Sequence, residues 1–183
     1  HIAELDKDVC KIELIVNKKI ILNALKKIIF CDIKLEKALT KIRRKICIKM
    51  RKDTKTLNYY ELQFIIALGE QCFLNEYIYF ISEEENISLN IIIERCVNGE
   101  LNEQNVAMLS CYIPLYKLID QIACLKSIKS NDQNFKELIM LQITEPLKEI
   151  ELSQNIKKLG SINDGISKKV KAQYEENPYP RWR

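Results

Sequence analysis

Glycine and proline are scarce in this chain, with four of each in 183 residues. A sheet protein needs many more turn residues, whereas a few long helices need few. Four glycines also leave no GxGxxG or GxxxxGK loop for a nucleotide phosphate. The single histidine is His1, so no internal imidazole serves a metal or a proton transfer, and HExxH is absent. No GxSxG elbow is present either. No apolar run approaches the roughly 18 residues of a membrane span, and no signal peptide is visible. A chain opening on His rather than Met points to a trimmed start.

Cysteine is present but unpatterned. Cys10, Cys31, Cys47, Cys72, Cys96, Cys111 and Cys124 are odd in number and contain no CxxC pair. Most lie among apolar residues at helical spacing, as small hydrophobes of a reducing cytosol do. Metal is therefore not expected.

The composition is 47% hydrophobic and 30% charged, enough to bury a core and remain in solution. The net charge of +4, from 29 basic and 25 acidic residues, is too mild to argue for nucleic-acid binding by itself. The expectation is a cytoplasmic, all-α protein: an irregular bundle of about six to eight helices with an extended C-terminal tail.

Helical periodicity starts between Leu5 and Phe30, where Leu14, Ile21, Leu25 and Ile28 share a face and Asn17 marks a break. Asp32 is an N-cap, with Glu36 in the first turn. The following helix carries Leu35, Leu39, Ile42, Ile46 and Met50 on one stripe. Its other face is basic: ten Lys and Arg residues against Glu36 and Asp53 between 34 and 56. Either it is a solvated face paired with acids elsewhere, or a patch for an acidic partner or RNA.

The stretch 57–82 is the longest and most apolar, which predicts a central helix. Gln71, Asn75 and Glu76 lie inside it. They are either a buried structural network or a polar patch facing another domain or a ligand. Glu83, Glu84 and Glu85 suit the start of a new element better than the end of this one. Asn86 or Ser88 is its expected cap and Gly99 its stop. Asn102 caps a further helix that Pro114 interrupts. Leu115, Leu118, Ile119, Ile122 and Leu125 extend the apolar pattern. After a polar loop over 127–134, a helix covers 135–143 and Pro146 opens another.

Composition shifts at Gly160. The expected division is a helical bundle over 1–160 and a short helix plus connector over 161–183. In that connector Tyr174, Glu175, Glu176, Asn177, Pro178, Tyr179, Pro180, Arg181 and Trp182 combine stiff backbone with aromatic surface. No repeat of fixed period is found.

The run VKAQYEENPYPRW (170–182) resembles a signature that precedes the first strand in a bacterial family of class I S-adenosylmethionine-dependent methyltransferases, some with tetratricopeptide repeats. ALGEQCFLNEYIYF (67–80), LQITEPLKEI (141–150) and INDGISKKV (162–170) are similar to that family as well, and DIKLEKALTKIRRKI (32–46) sits where it has a comparable helix. The resemblance covers roughly 32–182. It implies methyl transfer for a parent protein whose glycine-rich, cofactor-binding domain follows the tail, beyond Arg183. For this chain it implies no catalytic residue and no cofactor of its own. The nine tail residues, 174–182, would then lie near the cofactor, as a hinge covering its site. The methyl acceptor is not specified.

The leading expectation is thus a non-catalytic accessory domain, or a truncated relative, of such a methyltransferase, which positions substrate or covers the cofactor site of a missing catalytic domain. The alternative is a stand-alone protein-interaction module docking through Gln71, Asn75 and Glu76 and the basic helix. Nucleic-acid binding through residues 34–55 is the third. A membrane partner is not expected, and the tail is expected to lie on its own bundle or on a neighbouring copy.

Overall fold

The computed structural model describes residues 18–52, 57–155 and 164–176. All regular structure among them is helical, without a strand: α1 (Lys19–Lys27), α2 (Ile33–Lys52), α3 (Tyr59–Leu74), α4 (Glu83–Val97), α5 (Glu103–Ser110), α6 (Gln133–Ile139), α7 (Glu145–Gln154) and α8 (Gly165–Glu176). Two 3₁₀ turns, Leu115–Leu118 and Ala123–Ser127, join α5 to α6, and a π turn, Met140–Thr144, joins α6 to α7. No helix among the described residues is long and apolar enough to cross a membrane.

The chain divides into two compact units, 1–149 and 150–183, so the division falls before the composition shift at Gly160. In the first unit α3 is central. Every residue from Gln63 to Cys72 is buried. α1, α5 and α6 pack on α3, while α2 pairs with α4. In the second unit, α8 leaves Ile166, Val170 and Tyr174 exposed on one face.

Local chemistry explains the helix starts. Asn58 and Glu61 form a capping box for α3, and Ser82 and Glu85 form one for α4. Asp32 caps α2 through the Leu35 N–H, and Asn102 and Asp132 cap α5 and α6. Ser82, rather than Asn86 or Ser88, is thus the cap of α4, and Glu83–Glu85 form its favourable first turn. Gly99 does follow α4, at φ 98°.

The 57–82 helix is shorter than its apolar run predicts. It ends at Leu74, Asn75 caps it, and Glu76 and Tyr77 adopt left-handed φ values of 60° and 59°. Apolar content alone does not distinguish a helix from a buried turn, and here tertiary contacts bend the chain. The Leu115–Leu125 stretch is similarly buried without being one helix. Pro146, in contrast, does not begin a separate helix. Residues 133–154 run on through the π turn, where the Glu145 N–H reaches back to the Met140 carbonyl. Pro146 has no N–H, and its ring would clash with a carbonyl four residues back. The wider turn accommodates that defect.

Gly69 lets α3 lie close against α5 and α6. A Cβ there would lie 2.0 Å from Ser110 Oγ, 3.1 Å from Ser110 Cβ and 3.3 Å from Leu138 Cδ1. Gly69→Ala gains roughly 1 kcal/mol of helix propensity, but overpacking costs about 1–3 kcal/mol. We expect a net loss on urea unfolding, partly recovered by Ser110→Ala. A stabilised Gly69→Ala protein would show that α3 and α5 separate freely.

Four cysteines, Cys47, Cys72, Cys96 and Cys111, are buried as expected of core residues, whereas Cys31 and Cys124 are exposed. Cys10 lies outside the described residues. Burial pushes the Cys47 and Cys96 thiols up to about 11.

Candidate functional site

The turn after α3 gathers several of the polar groups that the core holds. Glu85 is fully buried and accepts five hydrogen bonds. Its Oε1 takes Tyr112 Oη at 2.8 Å and Arg43 Nη2 at 3.4 Å. Its Oε2 takes the Ser82 N–H at 2.8 Å, the Ser82 hydroxyl at 2.7 Å and Arg44 Nε at 3.2 Å. Burial alone would raise the Glu85 pKa. The Ser82 backbone and hydroxyl, then Tyr112, then the Arg43 charge, hold it below the ordinary value.

Arg43 is equally buried. Its guanidinium lies 4.1 Å from the Tyr112 ring centroid and 5.9 Å from that of Tyr79. It donates to the Phe80 carbonyl at 2.7 Å and the Cys111 carbonyl at 3.4 Å. The buried ion pair therefore spans α2, α4, the end of α5 and the segment between α3 and α4.

That segment, Asn75–Ser82, is a strap pinned at several points. The Tyr77 N–H donates to the Cys72 carbonyl at 2.9 Å and to Asn75 Oδ1 at 3.1 Å. The Tyr77 hydroxyl reaches Gln142 Oε1 at 3.2 Å. Gln142 in turn donates to the Gly69 and Ser110 carbonyls, at 2.8 and 3.2 Å, and accepts from the Leu115 N–H at 3.3 Å. Tyr79 points into the core with its hydroxyl near Asn75, and burial is the main cause of that hydroxyl's raised pKa. Two adjacent left-handed residues that are not glycine cost roughly 1–3 kcal/mol each and persist only where their surroundings over-determine them. The pinning displays two large apolar side chains. Ile78 is 62% exposed and Phe80 71%.

The proposed polar strip is divided by this turn. Gln71 and Asn75 are buried, and only Glu76 is exposed. The strip is therefore part of the turn's framework and not one surface. Sequence reasoning gave no site role to Tyr77, Ile78, Phe80 or Gln142, and it read Arg43 as part of a basic face and Glu85 as part of a helix start rather than as partners. The Ser82-x-x-Glu85 capping box was the readable signal. The ion pair, 42 positions apart in sequence, had none.

The basic face of α2 is also narrower than predicted. Arg43 is buried, Arg44 pairs with Glu85 at 3.2 Å, and Lys49 pairs with Glu61 at 3.0 Å. Arg95 donates to the carbonyls of Met50 and Arg51 at the end of α2. Lys34, Lys37 and Lys41 remain exposed, with no ion pair among the described residues. We expect a short RNA to bind weakly and to dissociate as salt rises. Gel-shift titration should show that Lys37 and Lys41 matter more than Arg43. Sequence-selective binding at moderate salt would overturn this.

A third polar cluster fastens α1. Lys26 Nζ lies 2.7 Å from Asn134 Oδ1, 2.9 Å from Glu137 Oε2 and 3.5 Å from Glu70 Oε1. Gln63 bonds to Asp132 and Asn134 beside it. Lys26 is the main cause of the lowered Glu137 pKa. One recess, of about 230 Å³, lies between α1 and the start of α2 and is lined entirely by apolar residues. No group of three His, Cys, Asp or Glu suited to a metal occurs among the described residues.

Of the tail, Tyr174 and Glu175 are exposed and Glu176 ends α8. Asn177, Pro178, Tyr179, Pro180, Arg181 and Trp182 lie outside the described residues, as does the expected path of the tail over the bundle or a neighbouring copy. Comparison with family models, with curated proteins and with solved structures finds no match to this chain.

Proposed function

We propose that this chain is a non-catalytic helical accessory domain of a class I S-adenosylmethionine-dependent methyltransferase, and that it docks against the catalytic domain through the Asn75–Ser82 strap. The observation that carries the reading is the strap itself. Hydrogen bonds with Arg43 and Gln142 hold it to the core, yet it turns Ile78 and Phe80 towards solvent. A preorganised apolar display of this kind suits an interface, because little side-chain and backbone freedom remains to be lost on binding. Residues 75–80 of the strap also fall within 67–80, one of the stretches that resembles the family, and the tail signature supports the same assignment. The methyltransferase domain supplies the cofactor and the chemistry; this chain supplies position and cover.

The test is calorimetric titration of this chain with the catalytic domain of a relative carrying the tail signature. Binding by the wild type, lost in Ile78→Ser/Phe80→Ser, is expected. Equal binding by the double variant removes the strap from the interface. Absence of binding at about 100 μM, a limit near 5–6 kcal/mol of affinity, favours a stand-alone interaction module instead. This chain by itself is expected to give no heat with S-adenosylmethionine. Its sequence has no glycine turn of the kind that holds such a cofactor at a strand end. A micromolar dissociation constant would refute that expectation.

A further inference from the structure

The charges around the strap specify the chemistry of its partner, an inference that rests on the docking role proposed above. The face of α2 beside the strap is identified by its contacts. Arg43 bonds to the Phe80 carbonyl, Arg44 bonds to Glu85, and Glu36 is close enough to raise the Tyr79 hydroxyl's pKa, with burial the larger cause. An α-helix turns about 100° per residue. Ile33 therefore lies between Glu36 and Arg44 around α2, and Lys37 and Lys41 lie past Arg44 on the side towards solvent. Ile33 is 67% exposed, and Lys37 and Lys41 are exposed with no ion pair among the described residues. At its other end the strap runs directly into α4, whose first residues, Glu83 and Glu84, are exposed carboxylates.

Apolar anchors are thus bordered by cations on the α2 side and by carboxylates at the α4 end. We propose that this is one two-signed docking surface. Its partner is a protein domain with an apolar cleft for Ile78 and Phe80, carboxylates opposite Lys37 and Lys41, and cations opposite Glu83 and Glu84. The division of labour follows from general interface physics. Central large apolar side chains supply most of the affinity, and bordering charges set orientation and the rate of encounter. A lysine row by itself would attract any polyanion. The carboxylates at the α4 end oppose a uniformly negative partner and favour one orientation of a partner with both signs.

The experiment uses this chain and the same catalytic domain, with association followed by stopped-flow fluorescence at low and physiological salt. Lys37→Glu/Lys41→Glu is expected to slow association about tenfold or more at low salt and to flatten its salt dependence, with dissociation little changed. Glu83→Gln/Glu84→Gln is expected to slow it less, and in the same direction. Ile78→Ser/Phe80→Ser is expected to speed dissociation instead. Circular dichroism of each variant confirms that it is folded. If only the Ile78/Phe80 variant changes the kinetics, the strap docks but the charged border does not select the partner, and this inference falls alone. If no variant changes them, the docking role falls with it. Faster association of the lysine-to-glutamate variant would assign the partner's rim the opposite charge and overturn the proposal.

Discussion

Glu85→Ala is expected to destabilise this protein more than any other single surface-neutral change. The side chain is fully buried, and its removal leaves Arg43 as a buried charge without its carboxylate. It also removes the partner of Tyr112, half of the α4 capping box, and the acceptor for Arg44. Breaking one side of a buried pair costs about 3–5 kcal/mol, against a total of roughly 5–15 kcal/mol for a typical domain. Urea unfolding followed by circular dichroism should show a strongly lowered midpoint. A fall under about 1 kcal/mol, the size of one ordinary net hydrogen bond, would mean that water reaches Arg43. A useful control is Arg43→Met/Glu85→Met. Removing both charges is expected to recover stability relative to either single change, because no uncompensated charge remains. It should nevertheless release the Phe80 carbonyl, and hydrogen exchange across 78–82 would report that.

The same pair makes a prediction about acid. Glu85 has its folded pKa held below the ordinary value of 4.5. The stability it contributes is fully present above that value, and it is lost as pH falls through the lowered folded pKa. Glu137 contributes with the same sign through Lys26, but it is half-exposed on the surface, so screening by water reduces its share. Unfolding midpoints should therefore drop on acidification. In Arg43→Met/Glu85→Met the drop should be smaller.

Gln142→Leu is the second large effect. The substitution approximates the volume but removes a bond from four groups: the Gly69 and Ser110 carbonyls, the Leu115 N–H and the Tyr77 hydroxyl, of which the Gly69 carbonyl keeps its place in the α3 ladder. Leaving a buried polar group unsatisfied costs about 1–3 kcal/mol, and these groups belong to α3, α5, the first 3₁₀ turn and the strap. We expect a loss of about 3 kcal/mol or more, since at least two of the four stay buried and unpaired. Gln142→Glu separates donor from acceptor. It keeps an acceptor for Leu115 and Tyr77 but donates to neither carbonyl while ionised, and to only one when protonated. It should therefore be less destabilising at low pH than at neutral pH. A Gln142→Leu protein as stable as wild type would show that this glutamine does not join the four segments.

Much of this molecule was determined locally. Few glycines and prolines, with apolar residues at helical spacing, dictate helices, and Asp32, Asn102 and Gly99 mark their ends because caps act within one turn. The centrality of α3 follows from a run too apolar to face water. The candidate site did not follow in the same way. Residues 75–82 continue the apolar run of α3, so periodicity could not place a turn there. The turn exists because Tyr77 finds Gln142, 65 positions away, and because Arg43 finds the Phe80 carbonyl and Glu85. Arg43 reads as one more cation in a basic helix until α4 and α5 bring Glu85 and Tyr112 around it. Local sequence determines which backbone bonds are cheap to make. Only the assembled bundle determines which polar groups are taken from water, and those groups, cut off from water, fix the strap.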